Sequence, residues 1–188
     1  MSITIRAAAP LDQEAALPMA LLMQHLREPE GEDLVVAAAR AGALSWLEKR
    51  VGISLSRRPW KATFGGLALS GCAIRLPMGP VAVSGVTYLD NASTTQPWPA
   101  DRWDLVGEEL RTITAPSWLS AIPGSVLSVA YEAGFENLGS EEPAIQTAAL
   151  LLAGHFYRNR EENAAAVLAT MPFGVEMLVE EIRMPVLA

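Results

Sequence analysis

The sequence predicts an α+β protein: a small bundle of about four helices, with an antiparallel β insertion between the second and third. Two stretches, residues 34–51 and 145–156, repeat apolar residues at helical spacing. Between them, residues 53–136 turn to alternating and β-branched runs punctuated by glycine and proline. Helices with an apolar stripe on either side of that segment must bury their stripes on one another, which makes one bundle. With 188 residues the chain is expected to be a single domain, reading as an arm (1–17), helices (18–52), β insertion (53–139), helices (140–183) and tail (184–188).

Residues 1–17 open with the alternation Ile3-Thr4-Ile5 and continue into an alanine-rich stretch holding Pro10, an extended arm with little core of its own. Pro18 suits the first position of a helix over residues 19–27 that buries Leu22, Met23 and Leu26. The run Glu28-Pro29-Glu30-Gly31-Glu32 breaks it, and Asp33 is the expected N-cap of the second helix, 34–51. Its core face is Val36, Ala39, Ala43, Leu47 and Val51, and Gly52 follows Lys49 and Arg50 as a stop. Gly42 inside this helix costs about 1 kcal/mol relative to alanine, which close approach of another backbone would offset.

In the middle third, strands are expected over residues 61–69, 73–76, 83–89, 102–106, 109–113 and 126–133, as hairpins or a small sandwich. Asp90-Asn91 and the polar cluster 93–96 read as turns. Helix returns after Ser140, with Pro143 just inside it and Glu141 and Glu142 at the positive end of the dipole. Its core face is Ile145, Ala149, Leu152 and Phe156. Pro172 can start a last helix through about residue 183, leaving the short apolar tail Met184-Pro185-Val186-Leu187-Ala188.

Composition narrows the function. Half the residues (51%) are apolar, a globular composition that mildly favours buried subunit contacts. One cysteine, Cys72, allows no intramolecular disulfide, and with only His25 and His155 it cannot build the usual structural zinc site. The opening residues lack the order of a signal peptide, and the longest apolar run is too short to span a bilayer. The expectation is a soluble protein made in a reducing cytosol. A net charge of −7 opposes gripping DNA phosphates, yet suits a surface past which DNA slides without sticking.

Candidate chemistry is thin. His155 sits one position before core residue Phe156, without a second histidine at metal-ligand spacing, and reads as a helix-flank hydrogen-bonding residue; His25 reads the same way. Cys72 reads as a small packed residue, because neither a helix start nor a histidine motif accompanies it. Gly65-Gly66 is not followed by a phosphate-binding lysine motif, and there is no nucleophile elbow. Arg57, Arg58 and Lys61 around Trp60 form a basic-aromatic cluster too small for nucleic-acid affinity; a strand edge or a salt-bridging subunit contact fits it better. Trp60, Trp98, Trp103 and Trp118 among the prolines are either lids on a small core or interface residues. No catalytic, metal or cofactor-binding residue is expected.

The segment PAIQTAALLLAGHFYRNRE at residues 143–161 resembles the signature helix of phage head–tail connector (adaptor) proteins, P-A-I-x-x-A-x-L-L-L-x-x-H-x-Y-x-N-R-E. MPFGVEML at 171–178 is similar to that family's L-P-x-G-V-E-x-L at the opening of the last helix. QHLR at 24–27 resembles its first-helix ending. IRLP at 74–77, GPV at 79–81 and VTYLD at 86–90 resemble its strand segment, and YEAGF at 131–135 the approach to the signature helix. Order and spacing together cover roughly residues 18–184. The arm before Pro18 and the loop 91–100, rich in proline and tryptophan, depart from the pattern.

The resemblance implies a non-enzymatic virion protein of long-tailed phages or gene transfer agents, made in the cytoplasm and built into the neck of the particle. It implies a ring, typically of twelve subunits, with the portal above, a stopper or tail-terminator protein below, and DNA passing through the lumen. A ring needs two different complementary faces on each subunit. The expected partner-facing segment is Glu180, Glu181, Ile182, Arg183, Met184, Pro185, Val186 and Leu187, with Trp60 and Trp98 as further candidates; folding of the tail onto its own bundle is the competing reading. Rival functions are another neck ring component (stopper or tail terminator), a cytoplasmic helical interaction domain and, last, an enzyme.

Overall fold

The computed structural model describes residues 2–27, 30–65, 73–90, 92–112, 126–159 and 173–180. The chain divides into two compact units: residues 1–10 with 57–134, and residues 11–56 with 135–188. The first is β, the second helical, so the protein is α+β as expected.

In the helical unit, α1 (Gln13–Ala16) is started by Asp12, whose carboxylate accepts from the amides of Glu14 and Ala15. The next helix, α2 (Met19–His25), has Pro18 at its cap rather than inside it, and the Glu14 carboxylate takes up the Met19 amide at 3.2 Å. In α3 (Asp33–Val51), Asp33 is the first helical residue and Glu32 holds the cap position without capping. That correction has a visible reason: the Glu32 carboxylate accepts instead from the Tyr157 hydroxyl. Gly52 ends α3 in the left-handed region (φ 75°), the conformation for which glycine is best suited.

Asn137 caps a short α4 (Leu138–Glu141), and α5 (Pro143–Arg158) begins with proline at its first position. The last described helix is α6 (Phe173–Glu180). Helices α3 and α5 pack on one another, and small residues of both, Ala43 of α3 and Ala148, Ala149 and Ala153 of α5, are buried in the helical core. Larger side chains share that core, and Leu22, Leu44, Leu47, Leu152 and Ile145 are all fully buried. Each such burial contributes about 2 kcal/mol relative to exposure. At Gly42 it is the Phe156 ring of α5, not a backbone, that comes close: a Cβ there would sit 3.4 Å from it.

Among the described residues the β unit contains eight strands in two sheets. The larger has the order β1 (Ser2–Ala7), β2 (Arg58–Gly65), β8 (Val126–Ala133), β4 (Pro80–Leu89), β5 (Thr95–Trp98); the smaller is β3 (Ala73–Arg75), β7 (Glu109–Thr112), β6 (Trp103–Val106). All pairings are antiparallel. Period-two patterning sets the faces: Trp60, Ala62 and Phe64 of β2 stand opposite Tyr131, Val129 and Leu127 of β8, and all are buried. Ile74 and Leu110 of the smaller sheet share that apolar core.

Two expectations change. The described residues hold six α-helices rather than about four, because Asp12 and Asn137 each nucleate a short extra one. Nor is the β region a simple insertion between the second and third helices, since residues 2–7, expected as part of an extended arm, form an edge strand of the larger sheet. The polar cluster read as a turn at 93–96 is partly strand: Asp90 organises the turn, accepting from the amides of Ala92 (2.9 Å) and Thr94 (2.8 Å), and β5 begins at once. The expected strand residues 66–69 and 113, the glycine Gly66, Cys72, and the last-helix residues 181–183 lie outside the described residues.

Candidate interaction surfaces

The candidates His25, His155, Trp60, Trp98 and Trp103 lie among the described residues, whereas Cys72, Trp118 and most of the expected partner-facing segment lie outside them. Of the proposed partner-facing segment only Glu180 is described, exposed at the end of α6; Glu181, Ile182, Arg183, Met184, Pro185, Val186 and Leu187 lie outside the described residues. Helix α6 turns Val175 and Val179 into the helical core and leaves Met177 60% exposed. Leu34, in the first turn of α3, is 87% exposed.

Trp60 and Trp98 belong to the core of the β unit, 8% and 4% exposed. Trp98 meets Tyr88 edge-on at 6.1 Å, a favourable aromatic geometry, and its carbonyl accepts from the indole N–H of Trp103. The basic-aromatic cluster is divided by the pleat. Arg58 is buried and lies over the Trp60 ring at 4.6 Å, while Lys61 points to the opposite, solvated face.

The histidines sit in helical packing. His155 Nδ1 lies 3.0 Å from the Asn159 side-chain amide, one helical turn on. His25 Nε2 comes within 3.2 Å of where a Cβ on Gly154 would stand, so that glycine keeps α2 and α5 close. Among the described residues there is no group of three or more His, Cys, Asp or Glu able to hold a metal ion, and no helix long and apolar enough to cross a membrane.

The surface that sequence reasoning passed over is β1. All six of its residues are exposed, and it forms an outer edge of the larger sheet. Its register places Ile3 opposite Phe64 and Ile5 opposite Ala62, extending the core face of the sheet outward. Yet Ile3 and Ile5 stay 50% and 39% exposed, so the apolar face continues past the part this chain covers. On the solvated face Arg6 stands directly opposite Lys61, and neither has an ion-pair partner among the described residues. Like charges in that position destabilise the pair of strands. The signal was present in the alternation Ile3-Thr4-Ile5, but three alternating residues beside an alanine-rich stretch do not mark a strand without its partner.

No protein-family model and no curated protein matches the chain. Solved structures do. A chain in the neck of an empty gene transfer agent particle, computed with C6 symmetry, matches with a TM-score of 0.76 and 26% identity, over 98% of this chain and 97% of that one. A chain in the virion of the native gene transfer agent particle matches with the same values. A chain in the neck of the native particle computed with C12 symmetry matches with a TM-score of 0.74, again at 26% identity and over 98% and 97% of the two chains.

Proposed function

We propose that this chain is a structural, non-enzymatic subunit of the neck of a phage-like particle, and within the neck the head–tail connector that joins the portal vertex to the tail. The observation that carries this reading is the match to neck chains of gene transfer agent particles, which runs nearly end to end in both partners. It agrees with the ordered run of connector-like motifs from QHLR to MPFGVEML. Similar chains occur in reconstructions of sixfold and of twelvefold symmetry, and a ring of twelve satisfies both. A dodecamer is therefore the proposed state in the particle, one connector domain per copy. The net charge of −7 supports a lumen through which DNA slides without being held.

The portal is the proposed partner on one side and a stopper or tail-terminator protein on the other. Residues 180–187 are the proposed docking segment for one of them. The burial of Trp60 and Trp98 supports a role for both in shaping the β unit from within.

The test is native mass spectrometry of the purified chain, alone and mixed with the portal protein of the same particle. A ring-sized species or a portal complex is expected, and the portal complex is expected to disappear when residues 180–188 are deleted. A chain that stays monomeric and ignores the portal overturns the reading. A complex that survives the deletion moves the docking site elsewhere.

A further inference from the structure

Ring closure needs two unlike surfaces on each copy that fit one another. We propose that one of them is the β1 edge and that its occupant is a second copy of this chain, received through that copy's acidic edge strand β6. This rests on the ring reading above and names the contact that would build the ring.

Three properties of β1 lead there. It ends its sheet with a continuous register from Ser2 to Ala7 and no proline, so the outward backbone groups form an open pairing edge. The opposite edge of the same sheet, β5, carries Pro97, which has no N–H to offer. Ile3 and Ile5 prolong the apolar face beyond its own cover. Arg6 and Lys61 set two unpaired positive charges side by side on a chain of net charge −7. Most surfaces of another copy are therefore complementary to them. Nucleic acid would satisfy the two cations but gain nothing from the isoleucines or the open strand edge.

Among the free edges of the described residues, β6 answers these properties. It ends the smaller sheet and turns Trp103 and Leu105 toward the core, leaving Asp104 exposed and Val106 44% exposed on the outside. Opposite Asp104 is Arg111, whose guanidinium is engaged by Glu109 at 3.1 Å. Asp101, just before the strand, adds a second exposed carboxylate, partly offset by exposed Arg102. Asp104, on the outward face of β6, thus answers Arg6 and Lys61, while the same pairing sets Ile3 and Ile5 on the face of Trp103 and Leu105. A β1–β1 pairing would instead place Arg6 and Lys61 near their own copies and close a dimer rather than a ring.

The test compares wild type, Arg6→Glu, Asp104→Arg and the double variant by native mass spectrometry, alone and with portal protein, and follows amide hydrogen exchange of residues 2–7 in the wild type. Both sites are exposed, so all four proteins should fold, with Arg6→Glu melting slightly higher because it relieves the repulsion from Lys61 and Asp104→Arg slightly lower because it faces Arg111. Each single charge reversal is expected to lose the ring and the double variant to restore it, while exchange at residues 2–7 slows on assembly. A wild-type ring that Arg6→Glu also forms, or unchanged exchange at residues 2–7, overturns the β1 contact and leaves the connector reading standing. Loss without restoration in the double variant overturns β6 as the occupant. A wild type that binds portal without forming a ring overturns the β1–β6 contact alone, and one that stays monomeric and ignores the portal overturns both readings.

Discussion

Replacing Tyr131 by phenylalanine is expected to stabilise the protein, against the usual direction of core substitutions. Tyr131 is 1% exposed in β8, the central strand of the larger sheet, and its hydroxyl has no hydrogen-bond partner among the described residues. A buried hydroxyl left unpaired costs about 1–3 kcal/mol. Deleting one oxygen leaves a void smaller than a methyl group, for which the usual cost is about 1 kcal/mol. The difference favours phenylalanine by about 1 kcal/mol. The same burial pushes the Tyr131 phenol above its ordinary value of 10.0, because the phenolate would have to form out of water. The folded state therefore holds the proton more tightly than the unfolded chain does. The stability linked to this group is fully present below pH about 10 and falls as pH rises from there toward the folded value.

Urea unfolding at pH 7 and through the range above pH 10 measures both effects. The variant should gain about 1 kcal/mol at neutral pH and lose less stability than wild type in alkali. A loss of more than about 1 kcal/mol at pH 7, with the alkaline decline unchanged, would mean that the hydroxyl is satisfied and that the reasoning is wrong.

The turn after β4 should respond to acid. The Asp90 carboxyl is held below its ordinary 3.8, first by the Gln96 side-chain amide at 3.0 Å and then by the amides of Thr94 and Ala92. Its contribution is present above the unfolded value and is lost as pH falls through the lower folded one. An NMR titration should find Asp90 protonating below 3.8 with Thr94 and Gln96 shifting alongside it; a midpoint at or above 3.8 would refute the network. Gly42→Ala should stabilise α3 by about 0.5–1 kcal/mol, since the new methyl lies in ordinary contact with the Phe156 ring at 3.4 Å. A destabilised variant in thermal melting would show that the ring cannot make room.

Much of this protein was legible in its residues alone. Periodicity located the long helices α3 and α5 and their core faces, because a stripe repeated over four turns has only one good solution. Gly52 and Pro143 marked helix ends, since each suits a backbone position that few other residues fill as well. The alternation of β8 gave its span to the residue. The connector-like motifs from QHLR to MPFGVEML point by themselves to the neck of a phage-like particle.

Other features depended on what lies far away in the chain. Ser2–Ala7 is a strand only because β2, more than fifty residues later, offers it an edge. The short helices at Gln13–Ala16 and Leu138–Glu141 exist because single caps fold one turn that has no periodicity to announce it. Asp33 looked like a cap, but the helix takes it in as its first residue, and Glu32 at the cap position gives its carboxylate to Tyr157, 125 positions away. Trp60 and Trp98 could have faced a partner or the core, and cross-strand register turned both inward. Local pattern determined which segments bury a face. Tertiary structure decided which edges and faces were left over, because exposure is a property of the packed chain and not of any one segment.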